Sequence, residues 1–87
     1  MYQVGIMDTA AINQLLDEVA DDRTVPRNIR NLIANAKASL NNTKQDMAVR
    51  VSGAITLLDD VSNDPNIPVY TRTQIWNIVS LLEAANK

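Results

Sequence analysis

Apolar residues return every three to four positions in four stretches of the chain, the period of helices that each bury one face. Ile12, Leu15, Leu16 and Val19 form the first stripe, with Asp8 or Thr9 placed to cap its start. The second runs from Pro26 through Ile29, Leu32, Ile33, Ala36 and Leu40. Pro26 suits a first helical turn, where its missing N–H has no partner to lose, and Asn41-Asn42 ends the helix. The third stretch opens with the capping-box-like run Thr43-Lys44-Gln45-Asp46 and carries Met47, Val51, Ala54, Ile55, Leu58 and Val61, widened by Val49 and Leu57. The fourth begins near Pro68, or at a second capping box formed by Thr71 and Gln74, and presents Ile75, Ile78, Val79 and Leu82. Residues 1–7 are ambiguous, and the first helix could begin within them.

The second half of this pattern repeats the first at an offset of 42 residues: Leu15-Leu16-Asp17-Glu18-Val19 returns as Leu57-Leu58-Asp59-Asp60-Val61. Asp22/Asp64, Pro26/Pro68, Arg30/Arg72, Ile33/Ile75, Asn35/Asn77 and Leu40/Leu82 continue it, so that ten of 26 positions between 15–40 and 57–82 are identical. Each copy reads as a helical hairpin, the first over about 8–41 and the second over about 43–86, within a single domain spanning 1–87. Connections as short as Arg23-Thr24-Val25, the junction near 41–43 and Asn63-Asp64-Pro65-Asn66-Ile67 make consecutive helices antiparallel neighbours. Val25 and Ile67, each before a proline, are pushed toward extended backbone and are expected to fold over the hairpin end. A HEAT-like pair of hairpins is the alternative architecture, but solenoids generally need three or more units. Two hairpins closed face to face bury both apolar sides, which predicts an all-α antiparallel four-helix bundle.

Composition narrows the chemistry. The chain of 87 residues has 46% hydrophobic residues but no Phe, one Trp and two Tyr, so its core is aliphatic. With no Cys and no His it lacks disulfides, thiolate nucleophiles, and the commonest general base and metal ligand. No apolar run is long enough to span a bilayer and no secretory leader pattern opens the sequence, which places the expectation in the cytoplasm. A formal net charge of −2 gives none of the basic excess that drives non-specific nucleic-acid binding.

Charge is nonetheless segregated, with −5 over residues 1–22, +5 over 23–44, −3 over 45–66 and +1 over 67–87. The acids gather at the C-terminal ends of the first and third helices, where the helix macrodipole disfavours anions. Two uses of these charges suit the residue types. Asp17, Asp21, Asp59 and Asp64 could ligate a divalent cation for a hydrolase, since carboxylates are natural ligands of hard cations. Alternatively Arg23, Arg27, Arg30 and Lys37 could serve an accessory RNA or ribonucleoprotein contact. The recurrence of Asp22/Arg30 and Asp64/Arg72 with the hairpin favours a structural pairing of acid and arginine instead. Asn28, Asn31 and Asn35 share a face of the second helix, which reads as solvated.

Trp76 stands about 100° from core residue Ile75, at the edge of the buried stripe, with Tyr70 and Arg72 nearby. A Trp, a Tyr and an Arg in one neighbourhood are the residue types enriched in interface hot spots. The first copy has Ala34 where the second has Trp76, Asn28 where it has Tyr70, and Arg27 where it has Val69. Function belongs where the copies differ.

The run Asp64-Pro65-Asn66-Ile67-Pro68-Val69-Tyr70-Thr71-Arg72-Thr73-Gln74-Ile75-Trp76-Asn77-Ile78-Val79-Ser80, with Val25-Pro26-Arg27-Asn28 and Ala48-Val49-Arg50-Val51-Ser52, resembles a family of small uncharacterised archaeal proteins. The resemblance extends from about Ile12 onward and implies an archaeal cytoplasmic four-helix bundle; it brings no activity and no site residues. The leading expectation is therefore a non-enzymatic protein–protein interaction module, binding a protein partner or a second copy of itself through Trp76, Tyr70 and Arg72. No catalytic residue, cofactor or metal is assigned.

Overall fold

The computed structural model describes residues 9–85. Four helices follow one another: α1 (Thr9–Ala20), α2 (Arg27–Leu40), α3 (Met47–Ser62) and α4 (Val69–Ala85). No strand occurs among the described residues, and no helix there is long and apolar enough to cross a membrane. The Asp8 cap and residues 1–7 lie outside the described residues. Each helix turns its three-to-four-residue stripe inward, except that Met47 and Val49, expected on the α3 stripe, stand exposed in its first turn. Ile12, Leu16 and Val19 of α1 meet Ile29, Ile33, Ala36 and Leu40 of α2, Val51, Ala54, Leu58 and Val61 of α3, and Ile75, Ile78, Val79 and Leu82 of α4 in one aliphatic cluster. Val25 and Ile67 join it from the loops, 1% and 5% exposed, as their pre-proline positions predict.

α1 packs on α2 and α4, and α3 packs on α2 and α4, with no backbone-level contact across either diagonal among the described residues. The contact between α1 and α4 closes the ring, so the molecule is a four-helix bundle and not an open HEAT-like pair. The most extensive interface joins α2 to α3. There Gly53 admits a close approach: a Cβ at that position would stand 2.6 Å from Ser39 Oγ.

The loops supply a finding that the 42-residue offset conceals. All three have six residues, 21–26, 41–46 and 63–68, and the same bonds recur in each. The backbone N–H groups of Asp22, Asn42 and Asp64 donate to Val19, Ser39 and Val61 carbonyls at 3.2, 3.3 and 3.0 Å. The side-chain Oδ1 of each of these residues then accepts the backbone N–H two positions on, from Thr24, Lys44 and Asn66, at 2.9, 3.1 and 2.8 Å. This is an Asx turn, with the side chain standing in for a backbone acceptor. Pro26 and Asp46 both hold ψ near 150° before the next helix, at 148° and 150°. The carbonyls of Pro26, Asp46 and Pro68 each accept the N–H of an arginine four residues later.

Arg30, Arg50 and Arg72 are therefore equivalent, each eight residues after its Asx. Arg50 Nε donates to Leu40 O at 3.0 Å and Arg72 Nε to Ser62 O at 2.9 Å, so each guanidinium covers the last carbonyl of the preceding helix. Arg72 Nη2 adds a bond to Asp64 O at 2.9 Å, whereas Arg30 Nε turns to Val25 O at 3.1 Å. The structural unit is one helix plus one loop, spaced by 20 and then 22 residues, and the 42-residue repeat is two such units.

Two expectations are corrected here. Thr43-Lys44-Gln45-Asp46 lies in the second loop, not in a capping box, because Asn42 organises that segment as Asp22 and Asp64 organise theirs; the junction is as long as the others. Thr71 and Gln74 do not cap α4, which starts at Val69; Thr71 is fully buried within the helix, and Thr71 Oγ1 and Gln74 Oε1 have no hydrogen-bond partner.

Two stability measurements check this account. Arg72→Met leaves the α3 end uncovered and is expected to cost about 1.5–3 kcal/mol, with Arg30→Met costing less, in urea titrations at neutral pH. Thr71→Val keeps shape while deleting an unpaired hydroxyl, and is expected to raise stability by about 1 kcal/mol.

Candidate interaction face

The expected acid–arginine pairs do not form. Arg72 binds the backbone carbonyl of Asp64 and not its carboxylate, and the carboxylate is occupied by the Asn66 N–H. The ion pair that does form among the described residues joins Lys37 Nζ to Asp17 Oδ1 at 2.7 Å across α1 and α2, with both side chains near half exposed. At Asp22 the Thr24 hydroxyl, 2.6 Å away, and then the Thr24 N–H hold the carboxyl below its ordinary range. Slight burial opposes this shift and Arg30 adds a smaller attraction.

The four carboxylates considered for a cation are dispersed by these roles. Asp17 is engaged by Lys37, Asp64 by its own turn, and no three of His, Cys, Asp or Glu converge on a metal-sized site among the described residues. The proposed basic stripe is broken in the same way. Arg30 is committed to Val25 O and Lys37 to Asp17, which leaves Arg23 exposed in the first loop and Arg27 exposed at the start of α2. Asn28, Asn31 and Asn35 are all exposed, as a solvated face requires.

A groove of about 440 Å³ runs between α1 and α2. Leu16, Ile33, Ala34 and Ala38 form its floor, and its rim carries the Asp17–Lys37 pair and a reciprocal amide pair, Asn13 with Asn41, at 3.1 and 2.8 Å. Sequence reasoning did not single out this feature, although its origin lies in the repeat. Ala34 stands where the second copy has Trp76, and Ala38 where it has Ser80, so small side chains leave a hollow on this hairpin.

The aromatic candidates are on the outside of α4. Tyr70 is 70% exposed and Trp76 56%, and Val69 and Leu81 are exposed beside them, at 75% and 42%. Arg72, expected in the same contact, is half-buried with its guanidinium spent on Ser62 and Asp64 carbonyls, so it acts in the loop. The remaining exposed residues of α4 are Thr73, Asn77, Ser80, Glu83 and Ala84, which leaves Glu83 as the single charge on that face. Val69 is one of the positions where the two copies differ, whereas Leu81 has no signal in the repeat; its spacing from the core residues places it off the buried stripe. Met47 and Val49 make a smaller exposed pair at the start of α3.

A family model described as "Uncharacterised protein family (UPF0147)" matches residues 7–85 of the chain. A UPF0147 protein of Methanocaldococcus jannaschii is 52% identical over 69 residues, covering 79% of this chain and 74% of the relative. One from Thermoplasma volcanium is 37% identical over 87 residues, covering 97% and 98%. Among solved structures, the protein of unknown function MMP1188 superposes with a TM-score of 0.83 at 53% identity, over 86% of this chain and 85% of that one. A UPF0147 protein from Thermoplasma acidophilum gives a TM-score of 0.83 at 37% identity, over 87% and 89%.

The Asp22 turn yields a pH test. Because the folded state holds this proton less tightly than the unfolded chain, the carboxylate adds stability above the ordinary aspartate value of about 3.9. That contribution disappears as pH falls through the lower folded-state value. Asp22→Asn keeps the acceptor, as Asn42 does in the second loop, so neutral-pH stability is expected to change little. Its urea midpoint should fall less than the wild type's on acidification, and equal acid slopes would refute the assignment.

Proposed function

The chain belongs to the uncharacterised protein family UPF0147, and we propose that it acts as a non-enzymatic protein–protein interaction module of the cytoplasm, with the outer face of α4 as its contact surface. The observation that carries this reading is Trp76, 56% exposed on a helix face that bears one charge over four turns. Burying a half-exposed Trp against a partner removes a large apolar area from water with few rotamers to freeze. Tyr70 and Val69 extend the same surface toward the start of the helix and supply the apolar margin that excludes water from a central aromatic.

The core supports the assignment indirectly. Its aliphatic side chains close one cluster to which Trp76 and Tyr70 do not belong. Small stable bundles also hold such a face rigidly, which lowers the entropy lost on binding. The role proposed is thus presentation of a preformed helix surface.

The test compares capture of proteins from native extract by wild-type chain and by a Tyr70→Ala/Trp76→Ala double variant. The variant is expected to keep its helical circular dichroism while losing captured partners by at least tenfold. Unchanged capture, or equal loss with Val49→Ala on α3, would overturn the reading.

A further inference from the structure

We propose that the partner of the α4 face is a second copy of this chain, packed antiparallel about a two-fold axis beside Trp76; this rests on the interaction reading above. Val69, Thr73, Trp76, Ser80 and Glu83 follow a 4-3-4-3 spacing, the seam along which paired helices meet. The seam is symmetric about its aromatic centre. Val69 and Glu83 lie seven residues to either side of Trp76, and the small Thr73 and Ser80 lie three and four residues away.

In an antiparallel pair the two indoles meet at the centre, flanked by small residues that leave them room. Tyr70 and Leu81 stand about 100–120° off this seam and flank it, so the contact is carried by Val69 and Trp76 with the small residues between them. Isologous contacts of this kind join the same patch on both subunits, and so tolerate few charges.

The single charge on the face supports the same polarity. Glu83 lies toward the C-terminal end of α4, where its own macrodipole disfavours an anion, and it has no ion-pair partner among the described residues. The first turn of α4 contains no acidic residue. Antiparallel packing brings Glu83 of each copy to the positive first turn of the other, beside Val69, so both ends gain the complement they lack. A parallel pair would set Glu83 against Glu83.

A seam of 17 helical residues is about 25 Å long. Such a contact lies near the low end of specific interfaces, about 1,000 Å² in total, so the dimer is reversible and its population depends on concentration.

Sedimentation equilibrium between micromolar and millimolar concentration provides the test, with circular dichroism confirming that each variant is folded. Wild type is expected to approach twice the chain mass. Trp76→Glu should weaken the dimer at least about 100-fold, as loss of a central hot spot does, and Glu83→Lys should weaken it several-fold. Val49→Glu on α3 and Ala34→Trp in the α1–α2 groove should leave it unchanged. A dimer that survives Trp76→Glu, tightens with Glu83→Lys or is lost in Ala34→Trp overturns the proposal. A wild type that stays monomeric at millimolar concentration also overturns it, and if Trp76-dependent capture from extract persists, the broader interaction reading stands with a different partner. If that capture is absent too, both fall.

Discussion

Every reversal of this chain has to satisfy the carbonyls left open at a helix C-terminus within six residues, and the solution to that constraint organises the rest of the bundle. An Asx side chain closes the turn, an extended residue launches the next helix, and, in two of the three loops, an arginine one turn later reaches back to the last carbonyl of the helix before. The distance from Asx to arginine is eight residues each time, because six-residue loops and a first helical turn leave no slack. Charged donors on backbone carbonyls form stronger bonds than neutral ones, and they also complement the negative ends of the helices. Of the acids at those ends, Asp22 is held by the Thr24 N–H and hydroxyl and Asp64 by the Asn66 N–H, while Asp17 pairs with Lys37.

With the ends fixed in this way, the faces become free to diverge. Hairpins that share Leu16/Leu58, Ile33/Ile75 and Leu40/Leu82 in the core place Ala34 and Trp76 at matching points on the outside. One substitution produces two surfaces: a hollow between α1 and α2, and an aromatic ridge on α4. A bundle built from unlike hairpins would not have revealed this relation, since it is the common frame that makes the two positions comparable.

Much of the fold was legible in the chain. Aliphatic periodicity gave four helices, and the pre-proline Val25 and Ile67 gave the ends of the core, because burial and backbone restriction both act over a few residues. The third copy of the loop was hidden because Asn42 and Asp46 replace the Asp and Pro of the other two loops, and identical geometry from different residues leaves no identity to count. Thr71 and Gln74 misled for a related reason: a capping box is a pattern of types, and the helix had already started at Val69, directly after Pro68. For the candidate face, Trp76 and Tyr70 were visible as residue types, but their exposure, and the commitment of Arg72 to the loop, depend on tertiary packing.

Recognition through α4 would differ in character from recognition through the acidic ends. A face with a single charge gains little from long-range attraction, so its contacts would respond weakly to ionic strength and would instead show the negative heat-capacity change of apolar burial. The first loop responds in the opposite manner, since the Asp22 carboxylate loses its bonding advantage when protonated. The chain's charges are concentrated away from the helix that carries Trp76, so a second copy with the same net charge of −2 would meet little repulsion at that face.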